Sequence, residues 1–106
     1  MYYTVGVRYE WDEKKRRRNL RKHGLDFFFA PRVFDGPTFT IEDDRYEYDE
    51  PRFGTFGLLD GVVVAVIHTE RPGVIRIISM RKASRHEEKN YFDEVANGLE
   101  AASRDD

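Results

Sequence analysis

The chain has 106 residues, of which 40% are hydrophobic and 14% aromatic, and its formal net charge is −2. This length favours one domain, residues 1–106, and this composition excludes an intrinsically disordered protein. The absence of cysteine excludes disulfides, thiolate metal sites and cysteine nucleophiles. The longest apolar run, Val62 to Ile67, is far shorter than the ~20 residues that span a bilayer, and no signal-peptide pattern opens the chain. We therefore expect a cytoplasmic protein that does not bind membranes.

The first elements that the sequence predicts are a strand over residues 2–9 and a helix between Asp12 and Gly24. Residues 2–9 alternate loosely with aromatic and β-branched side chains, which is typical of a strand. Asp12 is a suitable N-cap, and Gly24 supplies a left-handed stop. Leu20 is the only aliphatic residue of this helix, so hydrophobic burial alone does not dock it.

A second short helix is predicted to begin near Asp26. Pro31 lies a few residues into it, where proline removes a backbone hydrogen bond and clashes with the preceding turn. This helix is therefore predicted to be kinked or to start late. The residues expected to face inward are Phe27, Ala30, Val33 and Phe34.

Strands dominate the middle of the chain and a helix closes it. Turn signals at residues 60–61 and 72–73 separate the last three strands, and Ser84 with Glu87 forms a capping box for the closing helix. That helix carries Tyr91, Phe92, Val95 and Leu99 at helical spacing. The strands are predicted over residues 38–41, 52–59, 62–69 and 74–80. The fold class is therefore α+β, a small antiparallel sheet with N-terminal helices and a C-terminal helix.

The two hairpins are predicted to gather arginines on one face of the sheet. The first turn places Arg52 opposite Thr69, on the same face as Arg71. An even second turn adds Arg76 to this face, whereas an odd turn moves it beside His68, and we favour the even turn. No carboxylate is expected at the neighbouring strand positions, so the arginines repel one another until an anion such as phosphate binds them.

Positive charge is concentrated in residues 14–22 of the first helix. Lys15, Asn19 and His23 line one side at i, i+4 and i+8, with Lys22 beside them. The three consecutive arginines point elsewhere, and a solvated face explains them more simply than contact with RNA or a partner. For His23, a catalytic role and a role in complementing the helix dipole both stay open.

Other polar and aromatic residues have simple structural explanations. Asn19 is expected to bond neighbouring backbone rather than substrate, and His68 is interpreted as a core histidine with a satisfied hydrogen bond. Ser79 has no paired base in view, so a role as nucleophile is disfavoured. The acidic run over residues 42–50 lacks the spacing and the glycine of a calcium loop. Phe28 and Phe29 fit either the core or an exposed patch.

Four segments, "WDEKKRRRNLRKHGLDF", "VFD", "TER" and "RIISMRKA", resemble motifs of the BrnT family of bacterial toxins over about Tyr9 to Tyr91. The resemblance implies a RelE-like ribonuclease that halts translation. It also implies a BrnA-like ribbon-helix-helix antitoxin, a hetero-oligomer with it, and contact with operator DNA only through it. Pro31 with the triple phenylalanine, and Met80, depart from the usual pattern. The matching positions are Trp11, Asp12, Lys15, Asn19, Lys22, His23, Gly24, Arg71, Arg76, Ser79 and Arg81.

The residues and the resemblance together indicate metal-free cleavage of RNA, with neither a metal nor a cofactor expected. Such cleavage needs a base, an acid and cations around the phosphate. We assign catalysis to His23, Lys22, Arg52, Arg71 and Arg76. Lys15, Asn19, Arg81 and Lys82 are assigned to RNA binding, and Arg16, Arg17, Arg18, Phe28 and Phe29 to the antitoxin. The alternative is a non-catalytic module that binds nucleic acid or a partner, with the basic helix as its docking surface.

Overall fold

The computed structural model of this chain describes residues 2–4, 6–43 and 50–103, with side chains over 6–43 and 50–98. It confirms the α+β class, with helices near the N-terminus and at the C-terminus. Most of the acidic run, residues 44–49, lies outside the described residues. The elements are β1 (Tyr2–Thr4), β2 (Val7–Trp11), α1 (Glu13–His23), a 3₁₀ helix (Phe27–Phe29), α2 (Ala30–Asp35), β3 (Phe39–Asp43), β4 (Arg52–Leu59), β5 (Val62–Arg71), β6 (Val74–Lys82) and α3 (Arg85–Ser103). None of the described helices has the length and apolar character needed to cross a bilayer.

The six strands form one sheet in the order β1-β2-β6-β5-β4-β3. The prediction of an antiparallel sheet is wrong at one pair, because β2 runs parallel to β6 with Trp11 beside Ile77. Turn signals report only strands that are neighbours in sequence, and these two strands are far apart along the chain. Residues 2–9 also form two strands instead of one, because Gly6 at φ 77° turns the chain back on itself.

Helix α1 has the predicted boundaries because both caps are local. The Asp12 carboxylate accepts a hydrogen bond from the Lys15 N–H at 3.1 Å. Gly24 adopts φ 71° and donates its N–H to the Leu20 carbonyl at 2.9 Å. Three basic residues in the last turn complement the helix dipole, and they include His23.

The second helix starts late, as predicted. The Asp26 carboxylate accepts from the Phe28 N–H at 3.0 Å and begins a single 3₁₀ turn. Pro31 then lies in the first turn of α2, where a missing N–H removes no helical bond. The expected inward residues Phe27, Ala30 and Val33 are fully buried, and Phe34 is half-buried.

One face of the sheet packs against these helices, and we call it the first face. Its core joins Tyr9, Val66 and Ile77 to the helical residues. His68 lies in the same layer with no exposed side-chain area, and its Nε2 is 2.7 Å from the Thr55 hydroxyl. The interpretation of this histidine as a core residue is confirmed, and the expected hydrogen bond is present at Nε2 but not at Nδ1.

The opposite face, the second face, is covered in part by α3. Tyr91 packs with Phe56, Val63 and Ala65, and its hydroxyl donates to the Pro37 carbonyl at 2.7 Å. The predicted capping box is confirmed, with each of its two residues accepting a hydrogen bond from the other's backbone N–H. Phe92 is 49% exposed, because it follows Tyr91 by one position and is therefore turned about 100° away. The side chain of Leu99 lies outside those described.

Candidate functional site

Helix α1 lies against the half of β6 that β2 leaves unpaired. β2 ends at Trp11 beside Ile77, so beyond that point no described strand pairs with the outer edge of β6. The Asn19 amide occupies this edge: it donates to the Met80 carbonyl at 2.8 Å and accepts from the Met80 N–H at 3.2 Å. It also donates to the Leu25 carbonyl at 3.1 Å. The interpretation of Asn19 as a backbone-binding residue is confirmed.

A cavity of about 230 Å³ opens between α1 and β6, and we call it the helix–strand pocket. Its basic residues come from one face of the helix, because they are spaced i, i+3, i+7 and i+8. Over the described part of the chain, no carboxylate lines this pocket. Cations held together without an internal counter-charge favour a bound anion. The lining residues are Lys15, Arg18, Asn19, Lys22, His23, Ile78 and Ser79.

Arg18 is a pocket residue that the sequence analysis placed on the exposed face with its neighbours. It follows Lys15 by three positions, and that spacing puts both side chains on the same side of a helix. This spacing of three positions is therefore the feature of the sequence that identifies Arg18 as a pocket residue. Arg17 is exposed, in agreement with the predicted solvated face.

Ser79 reaches the pocket because of an irregularity in β6. Ile67 pairs with Ser79, but the next residue, His68, pairs with Ile77, so Ile78 is an extra residue on β6. Such a β-bulge re-aims the side chains beside it. The result is a hydroxyl next to the basic side chains of the helix. Nothing in the local sequence signals a bulge at this position.

The predicted register of the second hairpin is confirmed, because Arg71 pairs with Val74 and Thr69 pairs with Arg76. The expectation that no carboxylate lies nearby is wrong. Glu10 stands beside Arg76 because β2 pairs with β6, and it accepts hydrogen bonds from Arg71 at 2.8 Å and Arg76 at 3.3 Å. We call Glu10 with Arg8, Arg71 and Arg76 the Glu10 cluster; Arg8 lies 3.5 Å from the same carboxylate.

Charge inside the Glu10 cluster is partly neutralised. Burial opposes ionisation of Glu10, but hydrogen bonds from Arg71 and Arg76 and their positive charge outweigh it and lower its pKa. Arg52 belongs to the same predicted group, and the first hairpin has the predicted register, with Phe53 opposite His68, which places Arg52 on β4, two strands from Arg76. It pairs in register with Asp43 on β3, on the far side of the sheet from β2.

Arg81 and Lys82, both predicted to bind RNA, point to opposite faces of β6. Arg81 forms a two-point ion pair with Glu87 at 2.7 and 2.9 Å. The hydrogen bonds from Arg81 lower the pKa of Glu87 to about 2. Lys82 is exposed, and its partner in register is Val64 of the first face. The two residues therefore do not form one surface.

The residues assigned to a protein partner also separate into two groups. Arg16 is half-buried and already paired, because its guanidinium donates to Glu13 at 2.8 Å and to Asp26 at 3.0 Å. The rings of Phe28 and Phe29 are 54% and 42% exposed and contact each other edge to face. The open question about these two rings is thus answered, since they form an exposed aromatic patch.

The helix–strand pocket brings together the types of side chain that binding and cleavage of a phosphodiester require. His23 is half-buried at the end of α1 and Lys22 is exposed beside it. A histidine exchanges protons near neutral pH, and ammonium and guanidinium groups stabilise negative charge on phosphate oxygens. Within residues 6–43 and 50–98, no group of three or more His, Cys, Asp or Glu side chains is placed to hold a metal ion.

A family model described as "Ribonuclease toxin, BrnT, of type II toxin-antitoxin system" matches residues 11–87. The matched segment begins at Trp11, just before α1, and ends at Glu87, the second residue of the capping box. It therefore includes the whole lining of the helix–strand pocket and most of the sheet. No curated protein matches the chain.

Proposed function

The chain belongs to the BrnT family, the ribonuclease toxins of type II toxin–antitoxin systems, and we propose that it cleaves RNA in the helix–strand pocket without a metal. The observation that carries this proposal is the lining of the pocket. His23 lies there among Lys15, Arg18 and Lys22, with no described carboxylate to neutralise them. The Glu10 cluster has lower priority as a site for the scissile phosphate, because its carboxylate already engages the arginines.

The proposed reaction uses the ribose 2′-hydroxyl as its nucleophile. The 2′-oxygen attacks phosphorus, the bond from phosphorus to the 5′-oxygen breaks, and the products are a 2′,3′-cyclic phosphate and a 5′-hydroxyl. His23 has the acid–base role: its imidazole accepts the proton of the 2′-hydroxyl as the 2′-oxygen attacks and returns a proton to the departing 5′-oxygen. Lys22 and Arg18 stabilise the additional negative charge that develops on the phosphate in the transition state.

The other predicted RNA-binding residues are assigned supporting roles. Arg71 and Arg76 are half-exposed, and we propose that they contact the RNA backbone beyond the scissile phosphate. Arg52 and Lys82 are assigned the same electrostatic role at other points of the surface. Asn19 positions α1 against β6 and so holds the pocket open between them.

Purified protein incubated with total RNA tests the proposed activity. We expect cleavage that persists in EDTA and leaves 2′,3′-cyclic phosphate ends. Activity that is lost in EDTA and restored by magnesium would overturn the metal-free mechanism. Binding of RNA without any scission, at protein concentrations far above cellular ones, would indicate the non-catalytic module instead.

We further propose a RelE-like fold, inhibition of translation in the cytoplasm, and neutralisation by a BrnA-like ribbon-helix-helix antitoxin that carries the contact with operator DNA. The mixed sheet, with α1 and α2 between β2 and β3 and with α3 after β6, supports this fold. Two exposed features suit the antitoxin: Arg17 on α1, and the aromatic patch of Phe28 and Phe29. Arg16 is excluded from this role, because its charge is already paired.

Co-expression tests the antitoxin surface. The chain with Arg17→Glu should lose its complex with the antitoxin and keep its toxicity. A variant that keeps the complex and loses toxicity would move Arg17 to the RNA site. Arg21→Glu, on the same helix and also exposed, is the matched control.

A further inference from the structure

The second face of the sheet has an open transverse row of residues beside α3. Three pairings define this row: Ser79 with Ile67, Ile67 with Gly54, and Gly54 with Ile41. The row next to it, which contains Phe56 and its neighbours, packs under α3. The open row is less covered, since Ile41 is 46% exposed and Ile67 is half-buried.

A groove of about 250 Å³ lies over this open row, and we call it the sheet groove. Its floor is apolar and lacks a side chain at Gly54, where an added Cβ would lie 3.5 Å from Ile67 Cδ1. The absence of that side chain leaves space between Ile41 and Ile67. The lining residues are Ile41, Glu42, Asp43, Gly54, Phe56, Ile67, Arg81 and Glu87.

One wall of the sheet groove carries a guanidinium held in a fixed orientation. Arg81 lines the groove and makes the two-point ion pair with Glu87, at 2.7 and 2.9 Å. Such a pair fixes the plane of the guanidinium. Planar guanidinium groups and aromatic rings are the surfaces on which unstacked RNA bases stack, and Phe56 lines the same groove.

The sheet groove adjoins the helix–strand pocket through a single pair of residues. Ser79 lines the pocket and Ile67 lines the groove, and the two are partners on neighbouring strands. Neighbouring strands are about 4.8 Å apart, so the centre of the groove near Gly54 is about 10 Å from Ser79. The base and the phosphate of one nucleotide are separated by a distance of this order, so the base can lie in the groove while the phosphate lies in the pocket.

We propose that the sheet groove binds a nucleobase of the RNA strand whose phosphate occupies the helix–strand pocket. This inference rests on the proposed ribonuclease function and adds to it a second point of contact. A base fits both observations, because it is flat and apolar on its faces and is tied by its ribose to the phosphate next door. A protein segment would also cover an apolar floor, but the adjoining cationic pocket favours a ligand that carries phosphate. The carboxylates of Glu42, Asp43 and Glu87 line the groove, so the phosphate lies in the pocket and only the uncharged base enters the groove.

Binding of short RNA probes tests this inference. The probe is a single-stranded RNA of mixed sequence with 2′-fluoro groups, which lacks the 2′-hydroxyl nucleophile, labelled for fluorescence anisotropy. A second series replaces one interior base at a time with an abasic residue. For the unaltered protein we expect one abasic position to weaken binding about tenfold, the size of effect that loss of one stacked base produces.

The substitution Gly54→Leu fills the groove and should remove this difference. The variant should bind the intact probe about tenfold more weakly than the unaltered protein does, and the abasic probe equally well. Ile41→Ser is the second variant, since it removes part of the floor at an exposed edge position and does not depend on packing a larger side chain. Gly36→Leu is the matched control, because an added Cβ there meets nothing within 4 Å.

Two outcomes overturn the inference: no abasic position weakens binding by the unaltered protein, or Gly54→Leu keeps the full difference between the probes. A Gly54→Leu variant that keeps the difference but escapes neutralisation by the antitoxin assigns the groove to a protein partner instead. If RNA is cleaved but no abasic position weakens binding of the probe, this inference fails and the proposed function stands. If neither cleavage nor binding of the intact probe occurs, both fail.

Discussion

The helix–strand pocket and the Glu10 cluster are both rich in positive charge, but they differ in where that charge is neutralised. The arginines of the cluster share the carboxylate of Glu10 on β2, which lies 2.8 Å from Arg71 and 3.3 Å from Arg76. In the pocket, by contrast, Lys15, Arg18 and Lys22 line a cavity that contains no described carboxylate. The cluster therefore has its counter-charge inside the protein, whereas the pocket requires one from outside.

The difference teaches that the density of basic residues in a sequence does not locate the binding site. Charge is available to a ligand only where the fold leaves it unpaired. Removal of a group whose partner is internal should lower stability and leave cleavage nearly unchanged. Removal of a charged or proton-transferring group of the pocket should lower cleavage and leave stability nearly unchanged.

The largest expected effect is on cleavage by the His23→Ala variant. Loss of a proton-transfer group lowers the cleavage rate by about 10²–10⁴-fold. Arg71→Ala should cost less than about tenfold, because its charge is half-exposed and already shared with Glu10. Both rates are measured on total RNA, with thermal unfolding to confirm an unchanged midpoint for His23→Ala.

His86→Ala is the matched control for His23→Ala, since this histidine is exposed on α3. Its cleavage rate should equal that of the unaltered protein. Equal rates for His23→Ala and the unaltered protein would instead remove the pocket from the mechanism.

The second expected effect is a loss of stability in mild acid that originates at His68. Burial lowers the pKa of His68 from 6.5 to about 4. The unfolded chain therefore binds a proton between these pH values that the folded chain does not, so stability falls as pH falls from 6.5 towards 4. The loss amounts to about 3 kcal/mol of unfolding free energy. Glu70, 3.5 Å from the ring but 48% exposed, does not compensate for this burial.

Urea unfolding at a series of pH values measures this loss. The variant His68→Gln cannot titrate, so its stability should change little between pH 6.5 and 5. His86→Gln should keep the full pH dependence of the unaltered protein. If His68→Gln retains that dependence, another group is responsible.

The third expected effect is a loss of stability on substitution of Asn19, the residue that joins α1 to the open edge of β6. Its side chain makes three hydrogen bonds to backbone groups and is 8% exposed. Asn19→Ala leaves the buried groups of Met80 without their partner, at a cost of about 2–3 kcal/mol. We expect a melting temperature lower by about 10 °C or more, together with weaker cleavage. Asn90→Ala, at an exposed position of α3, should change neither.

The sequence predicts the parts of this fold whose causes are local. Asp12 and Gly24 define α1, and the two tight turns define the hairpin registers, because caps and turns depend on a few adjacent residues. The parallel pairing of β2 with β6 could not be predicted in this way. It depends on burial of Tyr9 and Trp11 against a core assembled from distant segments.

The distinction between local and long-range causes also explains which features of the helix–strand pocket the sequence predicts. Lys15, Lys22 and His23 are brought together by helical spacing, which the sequence shows directly. Ser79 joins them only through a bulge in β6, and the counter-charge at Glu10 depends on the parallel strand pair. The bulge and the strand pairing are both tertiary features, so the sequence predicts the helical lining of the pocket but neither its serine nor the counter-charge at Glu10.

The smallest expected effect is that of the Glu10→Gln variant, which removes the internal counter-charge that distinguishes the Glu10 cluster from the helix–strand pocket. Glu10→Gln keeps the shape of the side chain but removes the charge that Arg71 and Arg76 share. We expect a loss of about 1 kcal/mol of unfolding free energy, because these pairs are partly exposed.

The same variant should bind the 2′-fluoro RNA more tightly at low salt. The slope of the logarithm of the binding constant against the logarithm of the salt concentration should be steeper by about 0.7 for each phosphate newly contacted. Glu70→Gln is the matched control: it removes one negative charge from β5, two strands from β2, on the opposite face of the sheet. An equal change in slope for both variants would mean that net charge alone decides. Weaker RNA binding by Glu10→Gln would mean that Glu10 orients the arginines for RNA, and the cluster would then belong to the same site as the pocket.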